Sequence, residues 1–284
     1  MVGELIDEAS AALNSAGVYF GHGTDSAWDE ATVLVLSVTG LADDAANLEA
    51  QVSERDEAEV RRLLTRRIDE RLPLAHLIGR WWFAGYEFLV LPGVVVPRSP
   101  IGELIEAGFE PWLLHPPRRV LDLCAGSGCI GIATALTFPD AEVHLVEIDP
   151  VAAVLARENV RLHGVEDRVS VHEGDLYEAL PDTAGFDLIV SNPPYVDAVD
   201  MASLPAEYRH EPRAGLAGGA DGLDLVRRIV DGARERLSAD GVLVCEVGMS
   251  APALLRAYPS IPFYWPDFER GGEGVFVVGA PDLT

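Results

Sequence analysis

Asn192-Pro193-Pro194-Tyr195 is the tetrapeptide of this chain best suited to chemistry on a neutral amino group. It follows an apolar run, Phe186-Asp187-Leu188-Ile189-Val190-Ser191, that reads as a buried strand. Two consecutive prolines can neither prolong a strand nor sit inside a helix, so the chain leaves the sheet in a stiff, extended loop. An Asn side chain and proline-locked carbonyls then stand at the carboxyl end of a strand, where open α/β sheets hold their ligands. The Asn amide oxygen beside a fixed carbonyl makes a pair of acceptors, able to grip an –NH2 group by both hydrogens. Taken alone, the tetrapeptide also reads as an ordinary Asn-Pro turn. The next motif upstream decides between the two.

That motif is Val120-Leu121-Asp122-Leu123-Cys124-Ala125-Gly126-Ser127-Gly128-Cys129-Ile130, a strand, a glycine turn and a helix expected from Ile130 to Phe138. Gly126 and Gly128 permit positive φ and close approach of backbone to a ligand, and the helix start offers unpaired N–H groups. The turn is read as a G-x-G pair and not as a dinucleotide fingerprint, and without any lysine it is no phosphate loop. Asp122 argues against a polyphosphate and suits a cationic or amino-bearing ligand. Two further strands, 142–146 and 169–172, end in Glu147-Ile148-Asp149-Pro150 and Glu173-Gly174-Asp175-Leu176. Glu147, about twenty residues past the glycines, is placed to take two ribose hydroxyls. Asp175 stands beside Leu176, an apolar side chain able to lie on a base. Each acid also has a plain reading as a surface group, but four such features in order at four successive strand ends point to one site.

In this order, Asp122-x-x-x-Gly126-x-Gly128, Glu147, Asp175 and Asn192-Pro193-Pro194-Tyr195, the sequence resembles the class I S-adenosylmethionine-dependent methyltransferases. Within them it resembles the protein-(glutamine-N(5)) methyltransferases, which methylate the side-chain amide of one glutamine in a translation protein. One branch of that family acts on peptide-chain release factors, the other on large-subunit ribosomal protein L-three. The stretches Val96-Pro97-Arg98-Ser99-Pro100-Ile101-Gly102-Glu103-Leu104, Tyr195-Val196-Asp197-Ala198, Glu207-Tyr208-Arg209-His210-Glu211-Pro212 and Phe268-Glu269-Arg270-Gly271-Gly272-Glu273-Gly274-Val275-Phe276 resemble the ribosomal-protein branch. The release-factor branch typically has Pro-Arg-Pro-x-Thr-Glu in the first of these places. The resemblance runs from about Leu72 to Val278, and Cys124 stands where many relatives have Gly.

The resemblance implies S-adenosylmethionine as cofactor and no metal. It assigns cofactor binding to Asp122, Leu123, Cys124, Ala125, Gly126, Ser127, Gly128, Glu147, Ile148, Asp175, Leu176 and Asn192. Catalysis falls to Asn192, Pro193, Pro194 and Tyr195. The implied fold is α/β: a doubly wound, seven-stranded sheet with its final strand antiparallel, a small N-terminal helical domain and a linking β-hairpin. Residues 1–77 are the expected helical recognition domain, 78–97 the hairpin and 98–284 the methyltransferase domain. In the family the hairpin helps to close over the cofactor.

Charge bears on partners. The formal net charge is −25, with 46 acids against 21 arginines. Nucleic-acid binders carry a basic face to neutralise phosphates, so DNA is not an expected partner. A basic ribosomal protein would instead be attracted, although acidity also serves solubility or a salt-tolerant host. Three competing functions carry distinct signatures: the release-factor enzyme, a nucleic-acid amino methyltransferase that would have to extrude its base, and a non-catalytic cofactor-binding assembly factor. The three cysteines, Cys124, Cys129 and Cys245, lack C-x-x-C spacing, so neither disulfide nor zinc is expected and they read as small packing residues. No run approaches the roughly 20 apolar residues of a membrane span, and no leader pattern opens the chain, which implies a cytoplasmic protein. Oligomeric state has no signature.

Helices are expected at 4–15, 28–39 and 53–71, the last capped by Ser53. Arg61, Arg62, Arg66, Arg67 and Arg71 read as one solvated, salt-bridged face. Trp81, Trp82, Phe83, Tyr86 and Phe88, with 89–96 as the return strand, suggest a hairpin packed between domains. A helix at 223–237 and strands at 241–247 and 274–278 complete the sheet. The Pro-, Gly- and charge-rich stretch from Tyr195 to Leu223 is too long for a plain connection and is expected to be a substrate-facing lid. His210 within it reads as a surface residue or a substrate contact.

Overall fold

The computed structural model describes residues 1–180 and 185–283. Residues 181–184 and 284, part of the segment assigned above to the methyltransferase domain, lie outside the described residues. The chain opens with four helices, α1 (Val2–Ala16), α2 (Ala27–Thr39), α3 (Glu54–Glu70) and α4 (Leu74–Ile78). The Ser26 and Ser53 hydroxyls accept the backbone N–H of Asp29 and Asp56, satisfying donors that the first turns of α2 and α3 leave unpaired. Leu5, Ile6 and Leu13 of α1, Leu34 and Val35 of α2, and Val60 and Leu63 of α3 form one apolar cluster. The arginines of α3 do not form a single solvated face. Arg61, Arg62 and Arg66 pair in the open with Glu57, Glu59 and Glu70. Arg67 points the opposite way and is 1% exposed, paired with Glu30 at 2.6 Å and with Glu207 at 3.2 Å.

Strands β1 (Arg80–Phe83) and β2 (Tyr86–Leu89) form an antiparallel hairpin with Trp81 opposite Phe88. One face is buried: Trp81 joins the helical cluster, while Phe83 and Phe88 join the core of the main sheet. Trp82 points outward and is 43% exposed. The return strand stops at Leu89, short of the expected Val96, because Pro92 and Pro97 lack N–H donors and Gly93, at positive φ, bends the chain. The irregular stretch that follows leads into α5 (Ile101–Glu106).

The main sheet is built from β3 (Arg119–Leu123), β4 (Glu142–Glu147), β5 (Val169–Glu173), β6 (Phe186–Ser191), β7 (Leu237–Glu246) and β8 (Val275–Gly279). Helices α6 (Cys129–Thr137), α7 (Pro150–Leu162), α8 (Asp224–Arg236) and α9 (Ala251–Ala257) connect and cover it. Strand order is β5-β4-β3-β6-β7-β8, all parallel except β8, which runs antiparallel to β7. Val120, Val143, Leu188 and Val242 pack on one face and Leu121, Val146, Ile189 and Leu243 on the other, the two-sided burial of a doubly wound sheet. Among the described residues the sheet has six strands, not seven. Beyond β8 only Tyr264 pairs, exchanging both backbone hydrogen bonds with Val277. Pro262 and Pro266 flank it without N–H donors, which confines the seventh strand to a single bridge. No helix among the described residues is long and apolar enough to cross a membrane.

Candidate functional site

The chain leaves β5 at one edge and returns as β6 beside β3, so the strand order reverses between β3 and β6. Ligands of such sheets sit in the crevice outside that reversal. The Ser191 hydroxyl donates to the Leu123 carbonyl at 2.7 Å and ties the two strand ends together. A cavity of about 550 Å³ opens there, within the size range of small-molecule sites. Asn192, Pro193, Pro194 and Tyr195 all line it.

From β3 the backbone turns through Cys124 and Gly126, both at positive φ, into α6. The Ala125 N–H donates to the Val146 carbonyl, and the Gly126 N–H donates to Glu147 Oε2 at 2.7 Å. The other Glu147 oxygen accepts the Asp149 N–H at 2.8 Å. Glu147 is thereby fixed at the end of β4, where burial raises its pKa. The Gly174 N–H donates to the Glu147 carbonyl, which brings the β5 turn alongside. Cys124, Ala125, Gly126, Ser127, Glu147, Ile148, Asp175 and Leu176 line the cavity with Asn192. Asp175 also pairs with Arg228 of α8 at 3.0 Å.

Asp122, Leu123 and Gly128 stand behind the wall instead of in it. Leu123 is buried in the face cluster of the sheet. Gly128 turns toward α6 and β4, where a Cβ would meet Ile132 and Leu145 at 3.0 Å. Asp122 is fully buried and its Oδ2 accepts the Gly131 N–H at 2.8 Å. It braces the glycine turn from behind the cavity wall. Gly131 also completes a G-x-G-x-x-G spacing with Gly126 and Gly128, so the reading as a bare G-x-G pair is corrected. What argues against a pyrophosphate is the lining: five carboxylates, Glu147, Asp149, Asp175, Glu246 and Glu273, against one arginine. Burial pushes the Cys129 thiol up to about 12 and the Cys124 and Cys245 thiols up as well, so all three stay protonated at neutral pH.

Three stretches noted in the sequence without a role hold the Asn-Pro-Pro-Tyr corner. The Tyr195 hydroxyl donates to Glu246 Oε1 and the Ser99 hydroxyl to Glu246 Oε2, both at 2.6 Å. Gly248, at φ 47, lets the Tyr195 ring approach to where a Cβ would lie 2.7 Å from it. The Asn192 side-chain N–H donates to the Arg98 carbonyl at 3.3 Å. Arg98 in turn pairs bidentately with Glu211 at 2.5 and 2.6 Å. Burial opposes the Glu211 charge, yet the Arg98 guanidinium outweighs it and holds that carboxyl far below the usual range. Glu103 accepts the backbone N–H groups of Glu269 and Arg270, both at 2.9 Å, fixing the glycine-rich loop whose Gly272 and Glu273 reach the cavity.

The stretch from Val196 to Gly222 is folded into short helical turns at Asp200–Ala202, Ala206–His210 and Arg213–Gly215. Leu204, Tyr208, Pro212 and Leu216 from it line the cavity. Two of its carboxylates fasten it down, Glu207 to Arg67 and the Tyr19 N–H, and Glu211 to Arg98 and the Val96 N–H. His210 is not part of the cavity lining and bonds the Glu70 carbonyl at 2.8 Å, at the surface. Sequence reasoning gave no role to Arg98, Ser99, Glu246 and Glu211. For Arg98, Ser99 and Glu211 the signal was present only as resemblance and for Glu246 not at all, since the partners lie 51 to 147 residues apart.

Comparison with known proteins bears on this site. Residues 111–206 match the family model described as the methyltransferase small domain. The ribosomal protein uL3 glutamine methyltransferase of Bordetella pertussis is 46% identical over 285 residues, covering 99% of this chain and 95% of that protein. The protein of the same name from Xanthomonas campestris is 46% identical, covering 99% of this chain and 91% of its own length. A solved methyltransferase from Pyrococcus furiosus, 16% identical with a TM-score of 0.50, covers 78% of this chain and 98% of its own and shares the fold. Identity of that extent, spanning both the cavity and the helical layer that grips it, shows that the chain belongs to the ribosomal protein uL3 glutamine methyltransferase family.

Proposed function

We propose that this chain transfers the methyl group of S-adenosylmethionine to the side-chain amide nitrogen of a glutamine in ribosomal protein uL3, and does so in the cytosol. The observation that carries the reading is the Asn192 amide, turned with its nitrogen on the Arg98 carbonyl so that its oxygen is left for the cavity. The residues present fit the methyl donor, which supplies an electrophilic methyl on a positively charged sulfur. The lining is acidic, and the charge of Arg98 is matched by Glu211. Glu147, with one backbone N–H on each oxygen, keeps its remaining lone pairs for a ribose diol. Asp175 and Leu176 stand where a base edge and face would lie.

A carboxamide nitrogen is a poor nucleophile because its lone pair is delocalised into the carbonyl. Asn192 Oδ1 and the Pro193 carbonyl, accepting its two hydrogens, would turn that lone pair toward the methyl carbon. The same two oxygens stabilise the positive charge that grows on nitrogen as the bond forms. This is positioning plus preorganised electrostatics; it needs no general base before transfer, and the surplus proton on the methylated nitrogen leaves to solvent afterwards. Tyr195, held by Glu246, walls the pocket against the planar amide. The helical layer, residues 1–77, would read the protein substrate beside the lid that it fastens.

The test is methyl transfer from tritiated S-adenosylmethionine to unmodified uL3 and, in parallel, to release factor. Label in uL3 is expected, and label in release factor alone would overturn the substrate. Asn192→Ala should slow transfer by about 10²–10³-fold, the scale of one deleted preorganised polar group. The dissociation constant of S-adenosylmethionine should move by no more than about twofold. Equal loss of binding and rate would make Asn192 a cofactor ligand and remove the mechanism.

A further inference from the structure

Glu211 lies outside the reaction as described, yet its carboxylate is fully enclosed and its hydrogen bonds run to one short strap, with His22 as a more distant neighbour. It accepts the Val96 N–H at 2.9 Å and both terminal nitrogens of Arg98. Pro97 stands between the two with a fixed φ. One carboxylate therefore holds the strap by its backbone at one end and by its side chain at the other. The Arg98 guanidinium also lies over the Tyr208 ring at 5.4 Å, a second restraint from the same loop. So held, the strap has one place for the Arg98 carbonyl, and that carbonyl accepts the Asn192 side-chain N–H. A carbonyl only accepts, so it selects which end of the Asn192 amide faces it. A half-turn of the amide would present N–H groups to the substrate nitrogen and abolish the acceptor pair. Ser99, the next residue of the strap, holds Glu246 and through it Tyr195.

We propose that Glu211 is a positioning residue that sets, through Arg98, the orientation of the Asn192 amide. The inference rests on the reading of Asn192 as an acceptor for the substrate amide. It also gives the loop containing Glu211 a task besides covering the cavity. The loop and the helical layer meet at the same point, since His22 lies 3.6 Å from Glu211 and Arg67 grips Glu207. Acceptor geometry at Asn192 is thus tied to the seating of both.

A double-mutant cycle on full-length enzyme tests it, with Glu211→Gln, Asn192→Ala and the pair assayed for methyl transfer to uL3. Glu211→Gln is expected to lower kcat by about tenfold or more, with KM for uL3 and Kd for S-adenosylmethionine within about twofold. In the Asn192→Ala background the same change should alter the residual rate by less than about twofold, because the group it positions is gone. A full tenfold loss in that background, or a parallel rise in KM and Kd, would show a merely structural ion pair and overturn the proposal. Glu211→Gln leaves the Arg98 cation unmatched and can unfold the protein. The neutral pair Arg98→Gln with Glu211→Gln is therefore assayed beside it, its melting temperature recorded. It should show the same kcat loss, and wild-type kcat in the folded neutral pair sinks the idea. Full activity of Asn192→Ala would overturn the mechanism and this inference together, whereas collapse of Asn192→Ala with an additive Glu211 effect would overturn only the inference.

Discussion

Asp122 is wholly buried at the end of β3, one oxygen on the Gly131 N–H and the other without a hydrogen-bond partner. Burial is the main reason its pKa is pushed up to about 8 from an ordinary 3.8, with the nearby Glu147 charge adding to it. The folded protein therefore keeps a proton that the unfolded chain releases. Stability from this group is complete below about pH 4 and is lost as pH climbs toward about 8. Asp122→Asn keeps an acceptor for Gly131 and removes the titration. Urea unfolding at pH 6 and pH 9 should show the wild type losing stability relative to the variant, and parallel profiles would refute the assignment. The sequence revealed the residue but not its direction. A position on a strand end does not say whether a carboxylate faces the crevice or the helix behind it; here Gly131 leaves room for this one, since a Cβ there would lie 3.0 Å from Asp122 Oδ2. Asn192 was easier to read, because two prolines leave the backbone only one way out of the sheet.

Strands β3 to β6 and helices α1 to α3 were legible to within a few residues, since each carries an uninterrupted apolar period with a cap or a glycine at its ends. The elements that escaped are held by something other than periodicity. The seventh strand is cut to one residue pair by its prolines, and the lid is ordered by charges whose partners are more than a hundred residues away. Asn159 on α7 belongs with these. It is fully buried, its oxygen accepts the Leu89 N–H at 2.8 Å, and its nitrogen donates to the carbonyls of Leu89 and Ser127. One amide thus joins the hairpin, the glycine turn and α7. Asn159→Ala takes the partner from the half-buried Leu89 N–H and should destabilise the fold by about 1–3 kcal/mol, measured by urea unfolding. It should also weaken S-adenosylmethionine binding, because Ser127 loses its anchor. A variant with wild-type stability would mean that Leu89 finds water or another partner.

At the scale of the molecule, a net charge of −25 is joined to a cavity whose own lining is acidic. Such a surface steers a basic protein toward the enzyme and repels free nucleic acid. Steering acts on encounter, not on the bound complex, so it must appear in kcat/KM and vanish with screening. Raising ionic strength from roughly 0.05 to 0.5 M shortens the screening length from about 14 to about 4 Å. The prediction is a several-fold fall in kcat/KM for uL3, with kcat at saturation unchanged. A short, uncharged glutamine peptide serves as control and should show little dependence, because it has no charge to be guided by. If acidity served only solubility, both substrates would respond alike. A fall in kcat itself would instead point to salt loosening the Arg67–Glu207 and Arg98–Glu211 pairs. Those pairs are buried and short, and therefore poorly screened, so the encounter should fail long before the site does.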